Sequence, residues 1–489
     1  MWARHVRTER VPARRLRPTA PPPAERAAAA APALSGHVVT ATAGDEYDQA
    51  RRIANARLDF RPAEIVYCYG ESDVAAAIQY GIANGMQLCV RSGGHDYEGF
   101  SLNNGGLVID VSRCDRYEVS ADRRTAIVGP GTPLRTLYHR LGNTRLDPND
   151  PNDPGYTLPG GSCGGVGVGG LVTGGGFGLI SRKYGLFCDR LVRVRLVDGT
   201  GALREATRVN DPDGVLWATC GGGGGNFGVV TELEFELVRA PRSVTTFAYV
   251  WPAHDDLITR LTHSFTAWNP SEDVFATLLL KAGGDVGSQV VFAGQSFGDE
   301  EATRAEIAPI AGKLPAPLTA SVSPLQSMSP LDAIEANAGD DTEHHAWKMA
   351  SSLGRGALNT AGIGALLEAL RKGPSSSCYV QFDTFGGKIN DVAADATAFP
   401  HRDMTYTVQY QSYWTNPSDA DPAERWLRET FEAVDAHIGA NASYRNYCDL
   451  NLSDWEDRYY KANYARLQRI KAQLDPNNTF YYPQSIVPA

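Results

Sequence analysis

Residues 88–99 read Leu-Cys-Val-Arg-Ser-Gly-Gly-His-Asp-Tyr-Glu-Gly, and residues 158–178 read LPGGSCGGVGVGGLVTGGGFG. The first is an apolar strand emptying into a loop of small residues that carries His95. The second sets Cys163 among eleven glycines between Gly160 and Gly178. Each glycine adds to the conformational entropy lost on folding, so clusters of them call for a reason. Where no Cβ intrudes, backbone N–H groups can approach a diphosphate and form anion-binding concavities. An imidazole and a thiol in loops this bare point to a flat cofactor gripped by backbone and tethered by side chains.

Two stretches satisfy G-x-G-x-x-G, Gly165–Gly170 and Gly223–Gly228. A nicotinamide fold needs that motif between a strand and a helix whose N-terminus faces the pyrophosphate. The first match runs into more glycine and the second into Val229-Val-Thr-Glu-Leu-Glu-Phe-Glu-Leu, which alternates as a strand. Both fail the context that the motif requires.

Outward from these loops, Glu64–Tyr69 reads as a strand. Glu71-Ser72-Asp73 can cap a helix to about Asn84, with Val74, Ala77, Ile78 and Ile82 on one face and Gly85 as its stop. With 87–91 this makes a β-α-β unit. Residues 107–111 and 125–129 are further strands, 133–141 a short helix and 142–158 a Pro/Asn/Asp loop. Strands follow at 191–197 and 229–237. From about 241 the composition shifts toward aromatics, with strands at 290–292 and 379–382, which suggests a second lobe. Tyr460, Tyr464, Leu467, Ile470 and Leu474 share one face of a C-terminal helix that Asp475-Pro-Asn-Asn ends.

At 489 residues the chain exceeds what one core usually supports, so two lobes are expected. The net charge of −10 argues against a nucleic-acid partner. The eight cysteines show neither CxxC nor zinc spacing, so no metal site is expected. Residues 160–180 are nearly uncharged but too rich in glycine for a membrane helix. The basic, Pro/Ala-rich stretch 1–37 lacks an apolar h-region and reads as a disordered or processed tail. A cytoplasmic protein is therefore expected, with secretion left open.

The motifs RSGGHDYEG, VGPG (128–131), GGSCGGVGVGGLVTGGGFG, GGGGGNFGVVTELEF and the tail YRNYCDLNLSDWEDRYYKANYARLQRIKAQLDPNNTFYYPQSI together resemble the berberine-bridge-enzyme-like oxidases of the vanillyl-alcohol-oxidase, or PCMH-type, flavoproteins. The resemblance implies an α+β fold with two lobes. A PCMH-type FAD-binding domain (38–240) joins a substrate domain with an antiparallel sheet covered by helices (241–440), and 441–489 returns to the FAD lobe. It implies FAD held by two covalent bonds, from His95 to the flavin 8α-methyl and from Cys163 to C6. Further FAD contacts fall on Arg91, Ser92, Gly93, Gly94 and Asp96, on Gly160, Gly161, Gly164, Val166, Gly167 and Gly170, on Gly228, Val229 and Val230, and on Asn446. The chain departs from many relatives in Gly164-Gly165 after Cys163, where a Pro is common, and in a longer Asp147–Pro154 loop.

The chemistry so implied is oxidation of an alcohol or sugar hydroxyl of a natural product or oligosaccharide, as in antibiotic biosynthesis. Hydride passes to flavin N5, and O2 accepts the electrons as H2O2. Tyr444 and Tyr447 match the family's active-site tyrosines. An unperturbed phenol costs about 4 kcal/mol to ionise at pH 7, so a neighbour must help. Asp383 matches the carboxylate that takes the tyrosine proton, with Tyr444 as base and Tyr447 assisting or exchanging roles with it. Gln409 is expected to line the flavin's substrate side. Two alternatives stay open: an oxidative cyclase or desaturase, and a flavin-bearing drug-binding protein without turnover. The expected partners are a small-molecule substrate and O2, in a monomer or homodimer.

Overall fold

A computed structural model describes residues 34, 36–147, 149–150, 152–283, 289–312, 325–337, 345–375 and 377–489. Most of the 1–37 tail lies outside the described residues, as do Pro148 and Pro151 of the Pro/Asn/Asp loop.

The first sheet contains β1 (His37–Thr40), β2 (Glu64–Tyr67), β3 (Leu88–Arg91) and β4 (Leu107–Asp110), in the spatial order β1-β2-β4-β3. The β-α-β unit is present, but β4 lies between its two strands and runs parallel to both. Ile65 and Val108 pack on one face with Val39 and Ile53, while Val66, Leu107 and Ile109 pack on the other with Val74, Ala77 and Ile78 of the helix Glu71–Ala83. With both faces covered, these strands read as continuous apolar runs. Ile82 departs from the expected helix face: it is 44% exposed, one turn beyond the packed part. The helix starts after Gly70 without a side-chain cap, and Asp73 instead accepts from the Tyr69 amide (2.9 Å).

The second sheet is antiparallel. It contains β5 (Tyr117–Val119) and β6 (Thr125–Val128); β7 (Tyr156–Thr157) forms a separate small pair, so the Pro/Asn/Asp loop ends in a strand. The sheet continues with β8 (Leu191–Asp198), β9 (Leu203–Thr207) and β10 (Gly228–Glu236), in the order β5-β6-β10-β8-β9, and β11 (Val238–Arg239) pairs with β7. Val194, Leu196, Leu233 and Phe235 face the core, while Arg193, Arg195, Glu232 and Glu234 take part in an ion-pair lattice. That is the period-two alternation of a sheet with one polar face.

The third sheet has seven antiparallel strands: β12 (Val244–Pro252), β13 (Val274–Lys281), β14 (Gln289–Ser296), β15 (Leu325–Met328), β16 (Ala346–Gly354), β17 (Cys378–Thr384) and β18 (Tyr406–Trp414), in the order β15-β12-β14-β13-β17-β18-β16. Leu278, Leu280, Val380, Phe382, Val408 and Tyr410 are fully buried. On this face Phe265 of the helix Asp255–Ala267 meets Phe292 and Phe382, and Phe431 of Ala420–Ile438 meets Tyr410. The alternate residues Thr277, Gln381, Asp383, Gln409 and Gln411 belong to the opposite face.

The C-terminal segment is two helices, Trp455–Tyr460 and Tyr464–Leu474, and not one. Lys461 breaks them with a φ of 49°, a left-handed conformation that a continuous helix excludes. Beyond them Phe480 bridges Leu88 of β3 and is buried in the first sheet's core, which returns the tail to the N-terminal lobe.

Candidate active site

β3 ends at Arg91, and the chain turns through Ser92, Gly93 and Gly94, the last at φ +66°. This loop rests directly on the Cys163 loop. A Cβ on Gly93 would strike the Gly167 amide and the Gly165 carbonyl, and one on Gly167 would strike Ser92. Both loops are latched to Pro130: Ser92 Oγ donates to its carbonyl at 2.6 Å and the Gly169 amide at 2.9 Å. The third glycine run joins them, the Gly223 amide donating to the Thr173 carbonyl at 2.8 Å. Glycine here permits backbone-to-backbone approach that no side chain would allow.

The Cys163 loop is not free of helix: Val168–Thr173 forms a six-residue one, so the first G-x-G-x-x-G does run into a helix. Gly170 lies in it, exposed, with open space where its Cβ would point among the described residues. His95 is half-buried, its Nδ1 2.8 Å from the Gly93 carbonyl, and Cys163 is exposed. Cys163 also lies within electrostatic reach of Tyr97, Tyr138, Tyr379, Tyr413 and Tyr447, which places it opposite the polar face of the third sheet.

The other expected cofactor residues divide. Ser92, Gly93, Gly94, Gly167 and Gly170 gather around the junction of the three loops. The carbonyls of Gly164 and Val166 accept from the Arg135 and Leu134 amides (3.0 Å each), and Gly161 accepts from the Tyr138 hydroxyl (2.7 Å), so these groups fasten the loop. Gly160 packs against Gly178. The Arg91 guanidinium is taken up in a buried ion pair with Asp110 and by the Ala50 carbonyl (2.5 Å). Asp96 holds its own turn, accepting from the Glu98 and Phe100 amides at 3.0 and 2.9 Å. The side chains of Arg91 and Asp96 are thus committed to structure. Gly228, Val229 and Val230 open β10, where β8 pairs with them but the β6 pairing begins only at Leu233; the Val229 side chain is core. Asn446 Nδ2 donates to the Leu171 carbonyl (2.9 Å) and to the Tyr444 hydroxyl (3.1 Å).

Tyr444 is buried, and its hydroxyl also accepts from the Gly176 amide at 3.0 Å. Burial pushes this phenol up, against donors from Asn446 and from the Gly176 and Phe177 backbone that favour its ionised form. Tyr447 packs edge-on to it at 4.9 Å and is held well above the ordinary phenol range, first by burial and then by the Asp383 charge. Asp383 is buried and is pushed up to about 6 by desolvation, restrained by bonds from Thr277 Oγ1 (2.6 Å) and Gln381 Nε2 (3.0 Å). Gln409 Nε2 donates to the Tyr97 hydroxyl at 3.0 Å.

Asp383 thus bears on Tyr447, while Tyr444 is tied to the Cys163 loop. A buried carboxyl raised to about 6, within electrostatic reach of a phenol that is held above its ordinary range, is an arrangement through which a proton can pass. Sequence reading missed Tyr97, Thr277, Gln381, Gln411 and Tyr413. The alternation in Tyr379-Val-Gln-Phe-Asp and Thr407-Val-Gln-Tyr-Gln-Ser-Tyr was the signal that places Gln381, Gln411 and Tyr413 with Asp383 and Gln409.

The bare loop junction, the open space at Gly170 and a thiol opposite the polar face of the third sheet fit a long, flat cofactor with a diphosphate. Among the described residues no cluster could hold a metal ion, and no helix is long and apolar enough to cross a membrane.

Comparison with known proteins agrees. Residues 62–207 match the family described as FAD binding domain, and 443–487 the one described as berberine and berberine like. The chain is 31% identical to an uncharacterised FAD-linked oxidoreductase, YgaK, of Bacillus subtilis over 93% of this chain and 97% of that one. It is 30% identical to aclacinomycin-N/aclacinomycin-A oxidase of Streptomyces galilaeus over 90% and 88%. The solved structure of Physcomitrella patens BBE-like 1 superposes with a TM-score of 0.83 at 26% identity, covering 93% and 97% of the two chains. The expected two-lobed α+β flavoprotein fold is therefore the fold of this chain, and the chain belongs to the berberine-bridge-enzyme-like family of FAD-dependent oxidoreductases.

Proposed function

We propose that this oxidase removes two hydrogens, one from the carbinol carbon and one from its hydroxyl, from a secondary alcohol or sugar hydroxyl of a natural product or oligosaccharide, with dioxygen reduced to hydrogen peroxide. The observation that carries the reading is the Asp383–Tyr447 pair opposite Cys163. FAD, when bound, supplies the two-electron acceptor. His95 would hold it through the 8α-methyl and Cys163 through C6, with backbone of the three glycine loops as its cradle, in a lobe spanning 38–240 and 441–489.

Tyr447 takes the proton from the substrate hydroxyl as the carbinol hydrogen leaves with its electron pair. Its own proton goes to Asp383, so neither group carries an isolated charge through the step. Tyr444, the first sequence choice for the base, exchanges roles with Tyr447: held by the Gly176 amide and Asn446, it braces the Tyr447 ring. Gln409 holds Tyr97. The amides of Gln381 and Gln411 and the rings of Tyr379, Tyr413 and Trp347 form a wall that hydrogen-bonds and stacks, chemistry suited to a sugar-bearing molecule. Asp383 is buried in the 241–440 lobe, while Tyr447 reaches it from the 441–489 segment and is half-buried.

Four measurements test the reading. Acid-precipitated protein should stay yellow, and the intact mass should exceed the chain by one FAD; colour released into the supernatant would remove the double tether. Holoprotein offered simple glycosides and benzylic alcohols should release peroxide. Tyr447→Phe should keep its flavin but lose about 10²–10⁴-fold in rate, while an unchanged rate would return the base to Tyr444.

A further inference from the structure

Asp383 does not stand alone on its sheet face. Thr277, directly opposite it in the β13–β17 register, donates to Oδ1 at 2.6 Å. Gln381, two residues before it on the same face, donates Nε2 to both carboxylate oxygens at 3.0 Å. An amide has two ends, and this one is fixed at the other: Gln411 Nε2 donates to Gln381 Oε1 at 3.0 Å, and the Tyr413 hydroxyl donates to Gln411 Oε1 at 3.2 Å. Every donor in the run Tyr413–Gln411–Gln381 therefore points toward Asp383.

We propose that Thr277 and Gln381 are positioning residues that set the proton affinity of Asp383, and that Gln411 and Tyr413 act as a relay that locks the Gln381 amide with its NH2 toward the carboxylate. The proposal rests on the reading of Asp383 as proton acceptor for its purpose, but not for its test. Both donors favour the ionised carboxylate, so each opposes the burial that would otherwise keep it protonated. A rotated Gln381 would present its carbonyl oxygen to Asp383, which favours the protonated acid; the relay prevents that rotation. The titratable group facing Asp383 is Tyr447, with Tyr444 and Cys163 beyond it. The neighbouring positions on the same face, Leu279 of β13, Ala293 of β14 and Thr407 and Gln409 of β18, carry no charge.

The test reads the carboxyl itself and needs no substrate. In infrared difference spectra of the holoprotein against pH, the protonated-carboxyl C=O band that disappears in Asp383→Asn is followed through its midpoint. Thr277→Val and Gln381→Met should each move that midpoint up by about one pH unit, the worth of one hydrogen bond to a charged group. Thr277→Ser, which keeps the hydroxyl, should restore the wild-type midpoint. Gln411→Leu and Tyr413→Phe should move it upward by less. An unmoved or lowered midpoint in Thr277→Val and Gln381→Met overturns the proposal, and an unmoved one in both Gln411→Leu and Tyr413→Phe overturns the relay. Should Asp383→Asn instead keep full turnover while the midpoints shift as stated, the catalytic reading of Asp383 falls and the tuning stands.

Discussion

The rings of Tyr97 and Tyr447 lie parallel, 3° apart in plane and 5.5 Å between centroids. The loop that carries His95 and the tail that carries the candidate base thus meet face to face. Gln409 holds the Tyr97 hydroxyl at 3.0 Å, so one strand of the third sheet orients the ring against which the base rests. A stack of this kind contributes about 0.5–1.5 kcal/mol beyond buried area, enough to bias one ring orientation over others by about tenfold. Tyr97→Leu should therefore lower the rate with the alcohol giving the strongest peroxide signal by about tenfold, with flavin content unchanged. Tyr97→Phe, which keeps the stack, should retain most of it.

The role proposed for Asp383 predicts a pH dependence with a definite sign. Its folded-state value of about 6 lies above that of a free carboxyl, and proton acceptance requires the ionised form. kcat/KM should rise with pH through an apparent midpoint near 6 that belongs to the Asp383–Tyr447 pair, then level off. Asp383→Asn should abolish that limb along with most of the rate. The same shift acts on stability in the opposite sense. The protonated acid stabilises the fold fully below about pH 4, and this contribution of at most about 3 kcal/mol is lost as pH rises through 6. Melting temperatures of wild type and Asp383→Asn should diverge between pH 4 and 7, the variant gaining.

The strands and the helix Glu71–Ala83 were legible because burial of one or both faces writes itself into the sequence as alternation or as apolar runs. The close packing of the loops that carry His95 and Cys163 was legible because glycine is conspicuous where backbone must approach backbone; the roles of the two side chains rest on the family resemblance. The break at Lys461 was not, since the apolar positions from Tyr460 to Leu474 keep a helical period across a residue whose φ is 49°. Ile82 misled for a related reason: the apolar period continues into the helix's last turn, where Gly81 still packs on Leu88 but Ile82 is 44% exposed. The helix Val168–Thr173 was hidden because glycine within it carries the wrong propensity, overridden by contacts to Pro130 and Thr132. Thr277 could not be tied to Asp383 from sequence, because 106 positions separate them and only the strand register brings them together. The side-chain duty of Arg91 was likewise set by partners outside its motif, Asp110 and Ala50, whereas that of Asp96 is local to its own turn.

Lys348 of β16 reaches across to the His95 loop. Its Nζ donates to Glu98 and, at 2.6 Å, to Asp449 of the tail, all three side chains being nearly inaccessible to solvent. Burial pushes the ammonium down, but Asp449 and Glu98 more than offset this and hold it charged; Glu98 is drawn below the usual carboxylate range against its own burial by Lys348 and Arg57. Lys348→Met would leave two buried carboxylates around an apolar side chain, a loss of about 3–5 kcal/mol. The expected result is a fall in melting temperature together with poorer flavin incorporation, because the cluster pins the segment that follows His95. The loss should be partly reversed by adding Asp449→Asn, which removes one of the stranded charges.

Two glycines separate what the cradle needs for folding from what it needs for the cofactor. At Gly93 a methyl group would collide with the Gly167 amide and the Gly165 carbonyl, both backbone atoms that cannot swing aside. Gly93→Ala should force the His95 and Cys163 loops apart, so that protein carries flavin on one residue only or on neither, read by peptide mass after proteolysis. At Gly170 a methyl group would point into open space among the described residues, and the helical backbone there accepts alanine. Since alanine is the better helix former by about 1 kcal/mol, Gly170→Ala should leave the melting temperature of the flavin-free protein unchanged or slightly raised. If backbone at Gly170 lies against the cofactor, the same substitution should lower flavin loading in the holoprotein. Full loading with an unshifted flavin spectrum would place the cofactor away from this helix and confine the cradle to the Gly93–Gly167 contact and the Gly223–Gly225 turn.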